Sequence, residues 1–263
     1  MKRSSGARLC ATAAVGALSL VLVTGCSDDG SKKDSKGSSK GSDSSSASSE
    51  SSAPAAKALT SAELEKLLLA QGEVKGFKVT PGDDTLPKSK SEVKTDKPAC
   101  DPLAWATAGL APGETDANAS NSVAEDKVSG ATAKPEDLAD AFDIDMTFVG
   151  LSSYEGDGAE KAMKALSDGV TACSAGYGLA AGEEDSKVTK VASEKGSGLG
   201  DESVAFSEAV DMDGEGSATF HTDVVRKGNT IATFYTVNFA SLGSGKAADI
   251  PAAVVQAQVA KLK

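Results

Sequence analysis

Cysteine and histidine are the residues of this chain best suited to chemistry near neutral pH, and it has four of the first and one of the second. Cys26 follows Val23-Thr24-Gly25. Gly25 and Thr24 are small enough for a peptidase cleft, and a cysteine thiolate is a nucleophile. His221 stands two residues from Asp223 in an alternating segment, so a strand puts both on one face. Ser-His-Asp catalysis would have to use this histidine, but a solvent-facing strand histidine is the plainer reading. No G-x-S-x-G elbow, H-E-x-x-H or Walker loop is present. Asp211-Met212-Asp213-Gly214-Glu215 offers the hard oxygen ligands that calcium takes. It lacks the third acidic position and the closing glutamate of an EF-hand, and reads as an acidic turn between strands. Asp143 and Asp145 could pair for glycoside chemistry. Their alternation with apolar neighbours makes them the wet face of a strand. Gly176-Tyr177-Gly178 and Gly196-Ser197-Gly198-Leu199-Gly200 open no βαβ unit, so both read as loops. No catalytic, cofactor or metal site is expected, and the protein is not expected to be an enzyme.

The elements around Cys26 give its thiol a purpose. Lys2, Arg3 and Arg8 precede an apolar run from Leu9 to Val23. That run is shorter than the about 20 residues a membrane-spanning helix needs, and it suits the apolar region of a signal peptide. Polar Ser27-Asp28-Asp29 begins at once after Cys26. The arrangement resembles a bacterial lipoprotein signal peptide with its lipobox. The resemblance implies cleavage before Cys26, a diacylglyceryl thioether on it, and a membrane anchor of two acyl chains, where one chain would hold only weakly. Residues 27–57 are dominated by serine with scattered Lys, Asp and Gly, without an aromatic or large aliphatic side chain. Such a stretch cannot bury enough surface to offset its ordering entropy. It is expected to be a flexible tether spanning roughly 30 Å.

Composition limits the partners. Losing Lys2, Arg3 and Arg8 with the leader takes the formal net charge from −11 to −14. A chain this acidic is not a nucleic-acid binder, and gains nothing from anionic lipid head groups. The membrane partner is therefore reached through Cys26. With Cys10 and Cys26 assigned to export and anchoring, Cys100 and Cys173 remain. An even pair in an exported protein reads as a disulfide, worth roughly 4 kcal/mol by the chain-entropy estimate. The competing redox or zinc reading lacks a C-x-x-C spacing, and the lone histidine cannot complete four zinc ligands.

The remaining sequence must position these groups. Thr60-Ser61-Ala62-Glu63 is a capping box before Leu64, Leu67 and Leu68, predicting a helix over 60–71. Phe77-Lys78-Val79 reads as a short strand. Residues 81–98, with Pro81, Pro87 and Pro98, read as a loop or irregular edge. Asp101-Pro102 opens a short helix toward Ala108, with Trp105 as core packing. A strand over 120–128 follows. Phe142, Ile144, Met146 and Phe148 then alternate with polar residues as a half-buried strand. Ala159, Ala162, Met163, Leu166, Val170 and Cys173 form one face of a helix over 158–173. Strands are expected at 187–192 and 203–210, the latter with Val204, Phe206 and Val210 on one face. A hairpin joins Thr219–Arg226 to Thr230–Phe239 through Gly228-Asn229. The last helix runs from Pro251 to Leu262.

Five features together carry a family resemblance. They are Trp105 just after Cys100, the amphipathic helix ending in Cys173, Leu199-Gly200-Asp201-Glu202, Val224 to Thr230, and alanine-rich Ala252 to Leu262. The chain resembles actinobacterial exported lipoproteins and PknH-like extracellular sensor domains. That resemblance implies a twisted antiparallel sheet flanked by helices, with a cleft suited to an unknown ligand. The kinase sensor is expected to hold two disulfides, where this chain can form one, and no kinase domain is present. The expected organisation is a signal peptide at 1–25, lipidated Cys26 with its tether at 26–57, and one extracytoplasmic α+β domain at 58–263. It would sit on the outer face of the membrane and bind a small molecule or cell-wall component. A lipid carrier or envelope-assembly factor is the alternative.

Overall fold

A computed structural model describes residues 57–82, 86–126, 143–182, 184–212, 216–242 and 244–263. The leader, Cys26, all but the last residue of the tether, Phe142 and residues 213–215 of the acidic run lie outside them.

The alternating segments build one antiparallel sheet. Its strands are β1 (Phe77–Pro81), β2 (Val93–Thr95), β3 (Asn118–Glu125), β4 (Asp145–Ser153), β5 (Tyr177–Ala181), β6 (Glu184–Glu194), β7 (Glu202–Asp211), β8 (Ser217–Lys227) and β9 (Thr230–Asn238). Their order is β1-β3-β4-β9-β8-β7-β6-β5-β2. The hairpin at Gly228-Asn229 therefore lies at the centre, flanked by β7 and β4. Pro81 ends β1 at one edge of the sheet, where a missing amide breaks no ladder. Among the described residues the helices are α1 (Ser61–Leu67), α2 (Asp101–Thr107), α3 (Gly158–Ala172) and α4 (Ala252–Lys261). The expected α+β architecture, an antiparallel sheet flanked by helices with one disulfide, is what the chain forms.

Both faces of the sheet are covered, because its central strands are apolar in both directions. Val224 enters one core with Phe206, Ile231, Leu103, Met163 and Leu166, under α2 and α3. The next residue, Val225, enters the opposite core with Phe234, Val149, Leu64, Val254 and Val259, under α1 and α4. The half-buried reading of β4 is corrected here. The strand is buried from Thr147 to Ser153, and Thr147 pairs its hydroxyl with Thr236 at 3.0 Å instead of facing water.

Several element boundaries also differ from the sequence reading, each for a local reason. The capping box of α1 forms, with Thr60 Oγ1 accepting from the Glu63 amide and the Glu63 carboxylate accepting from the Thr60 amide. The helix stops at Leu67 instead of residue 71, since buried Gln258 of α4 takes over its end. The Leu69 amide donates to Gln258 Oε1 at 3.0 Å, and Gln258 Nε2 donates to the Leu67 carbonyl at 2.8 Å. Residues 81–98 are not all loop, for β2 pairs with β5 along the far edge of the sheet. Tyr177 and Gly178 start β5 instead of lying in a loop. Pro251 caps α4 from outside.

Cys100 and Cys173 are bonded, with a Cα–Cα distance of 5.9 Å and a sequence separation of 73. The bond joins the start of α2 to the end of α3, so the two helices over one face are covalently pinned. Trp105 packs against the same core, and the Lys90 ammonium lies 4.5 Å over its ring. Replacing both cysteines by alanine should lower the free energy of urea unfolding by about 4 kcal/mol, from the entropy of a loop this long. A loss below about 1 kcal/mol would show that the bond adds little to helix packing.

Candidate functional site

The face carrying α2 and α3 is longer than the helices that cover it. Beyond α2 a cleft of about 500 Å³ opens on the sheet. Its walls come from Phe148 of β4, Leu179 of β5, Val210 of β7, Phe220 of β8, and Tyr235 and Val237 of β9. The Phe148 and Tyr235 rings stack with centroids 4.8 Å apart. Phe239 also lines the cleft and is 55 % exposed, the one large hydrophobic residue exposed among the described residues. An apolar concavity with a few convergent polar groups is the usual form of a small-molecule site.

Those polar groups sit beneath α2. Glu208 lines the cleft and is only 2 % exposed. The Tyr177 hydroxyl donates to its Oε1 at 2.5 Å, and the Thr107 hydroxyl bonds its Oε2 at 2.8 Å. Thr107 is in turn 3.2 Å from the Thr222 hydroxyl. Burial raises Glu208 above the usual carboxylate range, and its two hydroxyl partners offset only part of that rise. Burial, with the Glu208 carboxyl beside it, pushes Tyr177 up as well. The group spans α2, β5, β7 and β8, so a single cluster reports the relative placement of four elements.

The backbone fixes α2 over this cluster. Gly150 of β4 meets the chain just after α2, and a side-chain carbon there would come within 2.4 Å of the Gly109 carbonyl oxygen. Gly109 itself turns with φ +69°. Only glycine at 150 lets the helix end settle onto the strand, and this settling brings Thr107 to Glu208.

A second cleft, of about 530 Å³, lies on the opposite face beside the start of α4. His221 and Asp223 both line it, so the shared strand face expected from their spacing is present. They do not form a relay with each other. The His221 Nδ1 lies 2.7 Å from Glu194 Oε2, while Asp223 Oδ2 accepts from the Ser197 amide at 3.3 Å. The His221 side chain is 28 % exposed, in a cleft wall instead of on an open face. Asp143 and Asp145 are joined by Asn238, whose Nδ2 donates to both at 2.6 and 2.8 Å. Among the described residues, no group of three His, Cys, Asp or Glu is placed to hold a metal ion. The same residues contain no helix long and apolar enough to cross a membrane.

Sequence reasoning missed Glu208, Tyr177 and Thr107. A signal for Glu208 was present: it sits between Phe206 and Val210 on the apolar side of an alternating strand. A carboxylate in register with a buried row must find partners or stay neutral. Nothing comparable marks Thr107.

No family model matches the chain, and no curated protein matches its sequence. Among solved structures, the chain is similar to the extracellular domain of PknH from Mycobacterium tuberculosis. That likeness has 12% identity and a TM-score of 0.44, covering 78% of this chain and 95% of the other. It is also similar to an uncharacterized protein, an Rv0999 ortholog, from Mycobacterium smegmatis. There the identity is 13% and the TM-score 0.32, covering 77% of this chain and 94% of the other. Overlap at this level assigns no function to the chain.

The raised titration of Glu208 has a definite sign. Once pH exceeds the ordinary carboxylate range, the folded protein holds a proton the unfolded chain has lost. The stability this contributes is full below that range and declines as pH rises toward the folded-state value. Glu208→Gln removes the titration. Between about pH 4 and about pH 8 the unfolding free energy of the parent protein should fall relative to the variant, by at most about 1.4 kcal/mol per pH unit. A difference that stays constant in urea titrations across that interval would mean burial does not perturb Glu208.

Proposed function

We propose that the protein is a lipid-anchored, extracytoplasmic binding module with a sensor-like role, which takes a small molecule or cell-wall component into the apolar cleft. One observation carries the reading: the cleft of about 500 Å³, open on the sheet and lined by Glu208, Tyr177 and Thr107 among apolar walls. Binding, without turnover, is the activity proposed. The anchor rests on the sequence. Lys2, Arg3 and Arg8, the apolar run to Val23, and Cys26 behind Val23-Thr24-Gly25 are the parts of a lipoprotein leader. In this organisation residues 1–25 are removed, residues 26–57 tether the domain to the membrane, and residues 58–263 bind. The disulfide supports an oxidising location, and the net charge of −11 argues against nucleic acid as a partner.

The apolar lining favours a second reading, a lipid carrier or envelope-assembly factor. The two readings diverge once the cleft is filled. A sensor keeps its ligand, and a carrier passes it to an acceptor membrane. Transfer of bound lipid to acceptor vesicles would select the carrier.

Two measurements test the main proposal. Metabolic labelling with radioactive palmitate should mark the parent protein in the membrane fraction and leave Cys26→Ser unlabelled. An unlabelled parent protein free in the culture medium would overturn the anchor. Thermal-shift screening against wall fragments, lipids and metabolites should find a stabilising ligand, since one at about 100 times its Kd adds about 2.7 kcal/mol to the folded state. No shift across those three classes would overturn the binding reading.

A further inference from the structure

The charges and protons of the cleft select a class of ligand, an inference that rests on the binding reading above. None of the described residues lining it is Lys, Arg or His. A carboxylate or phosphate buried here would find no cation, and an uncompensated ion in an apolar setting is strongly disfavoured. Among the described residues the one carboxyl lining the cleft is Glu208, which adds repulsion toward an anion whenever it is ionised. A cation fares no better along the apolar walls, because both Glu208 oxygens already have hydroxyl partners.

The hydroxyl cluster supplies what an uncharged ligand needs. Burial favours the neutral acid at Glu208. In that form Glu208, Tyr177, Thr107 and Thr222 hold four O–H protons between them. The bonds joining them are Tyr177 to Glu208, Thr107 to Glu208, and Thr107 to Thr222, and these use three. One proton is left over. Thr107 donates to the Glu208 carboxylate; protonating Glu208 Oε2 reverses that bond, and with Thr222 donating as well the two lone pairs of Thr107 Oγ1 are filled and its own proton is freed. Thr107 is half-buried and lines the cleft, so that proton can point at a ligand.

We propose that the cleft binds an uncharged lipid, its hydrocarbon lying along Phe148, Leu179, Val210 and Tyr235 and one accepting oxygen held by the Thr107 hydroxyl. Selectivity is then set by two independent features. A described lining without a cation disfavours anionic lipids, and the surplus hydroxyl proton prefers an ester or alcohol oxygen over bare hydrocarbon.

The test uses the full chain with Cys26→Ser, so that no acyl group of its own competes and no detergent is required. Radiolabelled methyl hexadecanoate and hexadecanoate are compared by equilibrium dialysis near neutral pH. The ester should bind more than about tenfold tighter than the anion. Thr107→Val should weaken ester binding about fivefold, the usual net worth of one hydrogen bond, and Thr107→Ser should restore it. Val210→Trp places an indole in the cleft and should abolish binding of the ester. Ala181→Trp, from another strand of the lining, does the same should the first variant not fold. Equal binding of ester and anion would overturn the uncharged class while leaving the binding reading intact. An unchanged affinity in Thr107→Val would overturn the role of its hydroxyl. If neither probe binds, the uncharged-lipid class falls while the binding reading stands on the wider thermal-shift screen; if binding survives both tryptophan variants, the cleft is not the site and both readings fall.

Discussion

The Cys100–Cys173 bond is the constraint on which the architecture of one whole face depends. α2 is only a short helix, and an isolated helix of two turns is not stable in water. It persists because its first residue follows a cysteine bonded to the end of α3, and because its far end rests on Gly150 of β4. α3, longer and strongly amphipathic, lies over the sheet through Ala162, Met163 and Leu166. The covalent link lets a long helix hold a short one, whose Leu103 and Ala106 pack into the same core. What the cleft needs from α2, above all Thr107, depends on that link at one end of the helix and on Gly150 at the other.

The same arrangement explains why there is a cleft at all. Among the described residues, a nine-stranded sheet presents more apolar face than two helices of this length can cover. On the opposite side, α1 and α4 are locked together by the buried amide of Gln258. On the α2–α3 side the aromatic row of Phe148, Tyr235 and Phe220 continues past the helices as a separate small core. A binding surface of this kind does not require a dedicated loop. It is the uncovered remainder of a sheet whose strands are apolar on both faces, with buried Glu208 supplying polarity where α2 ends.

The two clefts show how position in the fold changes the meaning of similar residues. Glu208 and Asp223 are both carboxyls on central strands, and burial raises both. Glu208 is clothed by two hydroxyls at the base of an apolar groove. Asp223 faces the other way, toward the loop at Ser197. Strand alternation decides which face each one reaches, and the helices above decide what surrounds it.

Much of the fold was legible in the chain, and the reasons are local. The capping box at Thr60, the apolar face of α3, the alternation of β7 and the Gly228-Asn229 hairpin are signals within a few residues of one another. The pairing of Cys100 with Cys173 came from having no other partner. The errors arose where distant groups intervene: Gln258 shortens α1, and β5 recruits a proline-rich segment as its edge strand. The site was legible only as one anomaly, Glu208 in an apolar row. Its partners Tyr177 and Thr107 lie 31 and 101 residues away, and no spacing rule connects them. Those secondary elements with local signals, the covalent bond and the acidic character were already settled in the order of the residues, because each depends on near neighbours or on counting. The cleft belongs to the folded chain alone, since its shape is the difference between the area of a sheet and the reach of the helices packed on it.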